Sequence, residues 1–123
     1  GYLHGNCGHC HGGPSGSLDG LDLALAQRVA AGLDSVQRTR ESLLDHPSRF
    51  RPHGATDPKR VALDAQSPST LTLRLKSTSP LARMPPLGVQ VVDGEGVALV
   101  ERWIAETRQL HQHNYHAHQE TRP

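Results

Sequence analysis

Apolar positions fall in short, separated groups along this chain. Leu21, Leu25 and Val29, with Ala24 and Ala30 between them, repeat at helical spacing and predict a short helix ending near Gly32. A second, more polar helical piece is predicted over about 35–44, with Leu43 and Leu44 at its end. Pro47, Pro52 and Pro58 break regular structure, so about 46–60 reads as loop. Ser67-Pro68 has the form of an N-cap followed by proline at the first helical position. Leu71, Leu73 and Leu75 then alternate at the period of a strand. The cap outweighs the alternation and predicts a short helix over 68–76. Residues 77–92 read as an extended loop around Arg83-Met84-Pro85-Pro86-Leu87-Gly88. The clearest element is a helix over about 94–109. Asp93 is its N-cap and Glu95 stands where the helix dipole favours an anion. Val97, Val100 and Ile104 form one apolar stripe, widened by Trp103. No internal repeat is present.

The two ends differ from this middle. Residues 1–20 carry Gly1, Gly5, Gly8, Gly12, Gly13, Gly16 and Gly20, together with both cysteines and three histidines. Glycine lets a backbone turn sharply and approach another object, so this segment reads as a loop wrapped around something. At the other end, His111, His113, His116 and His118 make a polar tail that would gain positive charge under mildly acidic conditions. A length of 123 residues fits one domain, divided here as 1–110 with a His-rich tail over 111–123.

Composition makes the protein core thin. Hydrophobic residues are 35% of the chain, below the globular norm of roughly 45–50%. Only Trp103, Tyr2, Tyr115 and Phe50 are aromatic, while 12 glycines and 9 prolines favour loops. A prosthetic group or a partner protein is expected to fill the middle. Thirteen basic against twelve acidic residues give a net charge of +1, which argues against nucleic acid as a partner. No apolar run reaches the length of about 18 residues that a transmembrane helix needs. No charged n-region with an apolar h-region opens the chain, so no signal peptide is read. The start, Gly1-Tyr2-Leu3 directly before the motif below, is that expected of a processed protein or a piece of a longer one.

Cys7-Gly8-His9-Cys10-His11 is C-x-x-C-H and holds both cysteines of the chain. This is the attachment pattern of c-type haem. Two thiols add across the two porphyrin vinyl groups as thioethers, and the next residue, His11, offers an imidazole nitrogen to the iron. Gly8, Gly12 and Gly13 are read as keeping bulk off the ring. Rival chemistries use the same residues. A redox disulfide Cys7–Cys10 would need a thioredoxin-type βαβ setting, which the pattern does not contain. A zinc site would need Cys7, Cys10 and two histidines, and there is no second C-x-x-C.

A six-coordinate iron needs a second ligand. Met84 is the only methionine, and Pro85 and Pro86 stiffen its loop. A thioether opposite histidine is a cytochrome c arrangement that raises the reduction potential. The competing pool is His4, His9, His46, His53, His111, His113, His116 and His118. Of these, His46 and His53 lie in the proline-broken loop and read first as solvated loop histidines, with reach to the far side of the iron as the rival reading. The tail histidines offer donors for a transition metal or a contact for a partner.

At these residues the chain resembles a class I c-type cytochrome domain. More narrowly it is similar to the monohaem domain found near the C-terminus of many secreted bacterial proteins. The matching pieces are Tyr2-Leu3 before Asn6-Cys7-Gly8-His9-Cys10-His11, Leu21-Asp22-Leu23, Ser67-Pro68-Ser69 leading to Leu73-Arg74-Leu75, and Arg83-Met84-Pro85-Pro86-Leu87-Gly88. Val92-Asp93 and Ala98-Leu99-Val100 through Trp103-Ile104 complete them. The resemblance spans about 2–105. Only six residues precede Cys7, so the family's N-terminal helix is shortened here, and 24–60 matches no part of the pattern.

The resemblance implies a mostly α fold, with cytochrome c-like helices around one covalent haem and long Gly/Pro-rich loops between them. His11 and Met84 would be the axial ligands. The helix ending in Trp103-Ile104 would pack on a short helix leading into Cys7. Leu3, Leu87, Val97, Val100 and Ile104 would supply apolar cover. The implied function is electron transfer without catalysis, as a carrier or as a redox subunit of a larger membrane-associated or extracellular complex. Donor and acceptor proteins are the implied partners, and the periplasm or cell exterior the implied location. The alternatives are a peroxidase-like haem enzyme with a displaceable Met84, and a structural subunit that haem stabilises.

Overall fold

Helix α1, Tyr2–Cys7, forms where the glycine count predicts a loop and the resemblance a short helix into Cys7. Six residues are too few for a stable isolated helix, so its stability comes from outside it. The His4 ring supplies one tie: Nδ1 donates to the Leu23 carbonyl at 2.9 Å, the carbonyl being able only to accept. The Leu23 N–H in turn donates to the His11 carbonyl at 2.7 Å. In this computed structural model, residues 1–12, 20–24, 33–86, 88 and 90–120 are described.

The described residues fall into two compact units, Gly1–Arg60 and Val61–Pro123. The fold is mostly helical, and the described residues contain no sheet, only an isolated antiparallel bridge between Pro47 and Lys59.

In the first unit, residues 21–24 have no helical structure, contrary to the helix expected to begin there; 25–32 lie outside the described residues. Helix α2, Leu33–Leu43, matches the second predicted helix to within two residues. It stops where Asp45 takes a left-handed backbone, φ 49°, a conformation Asp tolerates better than most residues. The buried end of α2 organises its surroundings. Ser42 Oγ donates to the Thr39 carbonyl at 3.0 Å and accepts the Asp22 N–H at 3.1 Å. Buried Arg60 donates from Nη1 to the Ser42 carbonyl at 2.5 Å, and its N–H reaches the His46 carbonyl at 2.9 Å. The predicted loop over 46–60 is thereby pinned at its two ends.

In the second unit, helix α3 is Thr70–Lys76 and helix α4 is Gly94–Glu120. The helix of α3 overrides the alternation of Leu71, Leu73 and Leu75. Its N-cap is Ser69, not the expected Ser67. Ser67 is drawn into a separate turn, donating from Oγ to Asp64 at 2.6 Å. Ser69 Oγ is taken by the Ala62 N–H at 3.0 Å, so α3 has no side-chain cap. Helix α4 starts as predicted: Asp93 Oδ1 accepts the Gly96 N–H at 2.9 Å. Its stripe of Val97, Val100 and Ile104 is buried, α3 packs against it, and Lys76 pairs with Glu101. Arg108 reaches from α4 to the Ala62 carbonyl at 2.9 Å and the Ser67 carbonyl at 3.0 Å. The expected end near 109 is wrong. No Gly or Pro interrupts residues 97–120, and a helix needs no apolar face to continue, so the His-rich segment forms its last turns.

Candidate functional site

The first turn after α1 carries the motif. Gly8 N–H donates to the His4 carbonyl at 3.0 Å; Cys10 N–H and His11 N–H donate to the Cys7 carbonyl at 3.1 and 2.8 Å. Helix α1 ends at Cys7, and residues 8–11 continue it as a turn closed twice on the Cys7 carbonyl. Cys7, Cys10 and His11 stand at i, i+3 and i+4 of that turn.

Both cysteines are free thiols, Cys7 half-buried and Cys10 exposed. Burial pushes the Cys7 thiol above the ordinary range, and the neighbouring Cys10 adds to the rise. His11 is half-buried, and its Nδ1 has no exposed surface.

Gly8 and Gly12 have a structural reason different from the one expected. A Cβ on Gly8 would stand 2.6 Å from the His4 carbonyl oxygen and 2.9 Å from that of Leu23. On Gly12 it would stand 2.3 Å from the Ala24 Cβ and 2.9 Å from the Gly8 oxygen. Segment 20–24 therefore lies directly on the turn, and the glycines are required by chain-on-chain contact. Gly13 lies outside the described residues.

His4 and the Leu23–Ala24 backbone are site components that sequence reasoning left unused. The four-residue step from His4 to Gly8 signals a contact only once 2–7 is known to be helical.

Met84 lies in the second unit, half-buried on the loop after α3. Its N–H donates to the Arg74 carbonyl at 3.1 Å, and Arg74 Nε donates to the Ala82 carbonyl at 2.9 Å. Arg83 N–H caps the preceding turn on the Ser79 carbonyl at 2.8 Å. The loop is therefore held from α3 by both the backbone and the side chain of Arg74. Leu87, expected in the apolar cover, lies outside the described residues; Leu3 is half-buried.

The donor set bears on two of the chemistries the sequence offers. Among the described residues no group of three or more His, Cys, Asp or Glu converges on one point. A tetrahedral ion held by Cys7, Cys10 and histidines would need such convergence. Haem attachment needs something else: two thiols that bond to separate carbons and an imidazole one residue further on. The turn has that form. Comparison with protein-family models, with curated proteins and with solved structures finds no match to the chain.

Proposed function

We propose that this chain holds one haem c through Cys7, Cys10 and His11, takes Met84 as the second axial ligand, and transfers electrons. Bound there, the group supplies a one-electron ferric–ferrous couple. The observation that carries the reading is the placement of two free thiols and one imidazole at i, i+3 and i+4 of a single turn. Cys7 and Cys10 would hold the group by thioethers, and His11 would supply a nitrogen donor. Met84 would supply a sulfur donor from a loop that Arg74 already orders, so little conformational entropy is lost on ligation.

With His11 and Met84 both held to the iron, no position there would be left for a small substrate, and the role would be that of a carrier or a redox subunit. Donor and acceptor proteins, in the periplasm or outside the cell, are the partners this role requires, within a larger membrane-associated or extracellular complex where it acts as a subunit.

The experiment is expression in a host competent for cytochrome c maturation, followed by visible spectroscopy of the acid-washed protein. Retained haem absorbance and the methionine-to-iron charge-transfer band of the oxidised form are the expected result. Met84→Ala is expected to remove that band, lower the potential and admit carbon monoxide to the reduced iron. Two thiols still titratable after maturation would sink the proposal; a band unchanged in Met84→Ala would sink the assignment of Met84.

A further inference from the structure

The last turns of α4 take no part in the proposed electron transfer. Residues 109–119 are all exposed, and the helix fixes their register. Of the nine histidines, only His113 and His116 stand three or four positions apart. On a helix that spacing sets two Cβ atoms about 5–6 Å apart on one face. His111 and His118 are two turns apart, a rise of about 10 Å, too far to share one ion. Elsewhere, His4 and His46 already spend Nδ1 on the carbonyls of Leu23 and Pro47.

We propose that His113 and His116 form a two-imidazole site for a divalent transition-metal ion of the copper, nickel and zinc group. Neutral imidazole suits these ions, whereas magnesium and calcium select oxygen donors. Both rings are in water, so binding buries no charge, and the helix has already fixed the backbone between them. The Tyr115 ring meets the His116 ring edge-on, centroids 6.0 Å apart, and limits the orientations from which that ring is recruited. No third His, Cys, Asp or Glu joins the pair among the described residues, so water completes the coordination.

The test is a calorimetric titration of Ni²⁺ into the full chain as purified, with any free thiol capped by iodoacetamide and helix content checked by circular dichroism. One ion per chain is expected. H113A and H116A are each expected to weaken binding by about tenfold or more, and the double variant H111A/H118A to leave it unchanged. H116A/A117H, which restores a pair at i, i+4, is expected to recover binding; H116A/Y115H made in the H111A/H118A background, where the two remaining tail histidines stand at i, i+2, is not. Equal loss in H111A/H118A, or equal recovery by the Y115H relocation, would overturn the site, as would no binding at all. None of these readouts depends on the haem.

Discussion

Cys7 and Cys10 differ in their surroundings although they share one motif. Cys7 is half-buried and its thiol is held above the ordinary range, chiefly by burial, while Cys10 is exposed. Iodoacetamide at neutral pH is therefore expected to label Cys10 before Cys7 in the haem-free chain, as peptide mapping over time would reveal; simultaneous labelling would contradict the burial. A raised thiol pKa means that the folded state holds the proton more tightly than the unfolded state. That contribution to stability is complete below the ordinary thiol value of about 8.5 and is lost as pH rises through the folded value. Haem-free protein should accordingly lose melting temperature on the alkaline side, and Cys7→Ser should flatten the loss. Gly12 is the second informative residue. Alanine ordinarily favours compact backbone, but here its Cβ would meet the Ala24 Cβ at 2.3 Å. Gly12→Ala is expected to destabilise by about 1–3 kcal/mol, the usual cost of overpacking, read from denaturant unfolding. An unchanged midpoint would mean that segment 20–24 does not lie on the turn.

Among the elements, α4 is the one whose start is fully signalled within the sequence. Asp93→Ala removes the bond to the Gly96 N–H and should cost about 1 kcal/mol, measurable as a lower melting temperature. Asp93→Asn, which keeps an acceptor, should recover most of it. The start of α4 was legible because a cap acts on the next three residues only. Its end was not, because polarity marks exposure and not helix termination. In α1 the glycines outweighed every local helical signal. What reverses them is the bond from His4 to Leu23, nineteen positions away, together with the Leu23 N–H on the His11 carbonyl. Helix α3 shows competition on a smaller scale: the expected cap, Ser67, and the observed one, Ser69, stand two positions apart. Asp64 takes the hydroxyl of one and the Ala62 N–H takes the other.

At the level of the whole molecule the buried apolar set is small. It comprises Leu23, Ala24 and Leu43 in the first unit, and Val61, Ala62, Val97, Val100 and Ile104 in the second, among the described residues. Chains with so little to bury are marginal unless something else contributes. Under the proposed function that contribution is the haem. Cys7→Ala with Cys10→Ala should thus abolish covalent attachment and lower the melting temperature, read by circular dichroism, well below that of the haem-loaded chain. A double variant melting at the temperature of the haem-loaded chain would mean that the two protein cores suffice alone.

The sequence by itself determined the chemistry available at the start of the chain, because two thiols and an imidazole within five positions need no tertiary contact to be neighbours. It likewise determined the cap and apolar stripe of α4, since these act within a turn or two. Only the tertiary structure decided what holds the glycine-rich start in a helix, why Gly8 and Gly12 must lack a Cβ, which serine begins α3, and how Arg74 holds the Met84 loop. Each of these depends on atoms brought together from separate stretches of chain: His4 with Leu23, Gly12 with Ala24, Ser69 with Ala62, Arg74 with Ala82 and Met84. Pairings of that kind leave no periodic trace in the order of residues.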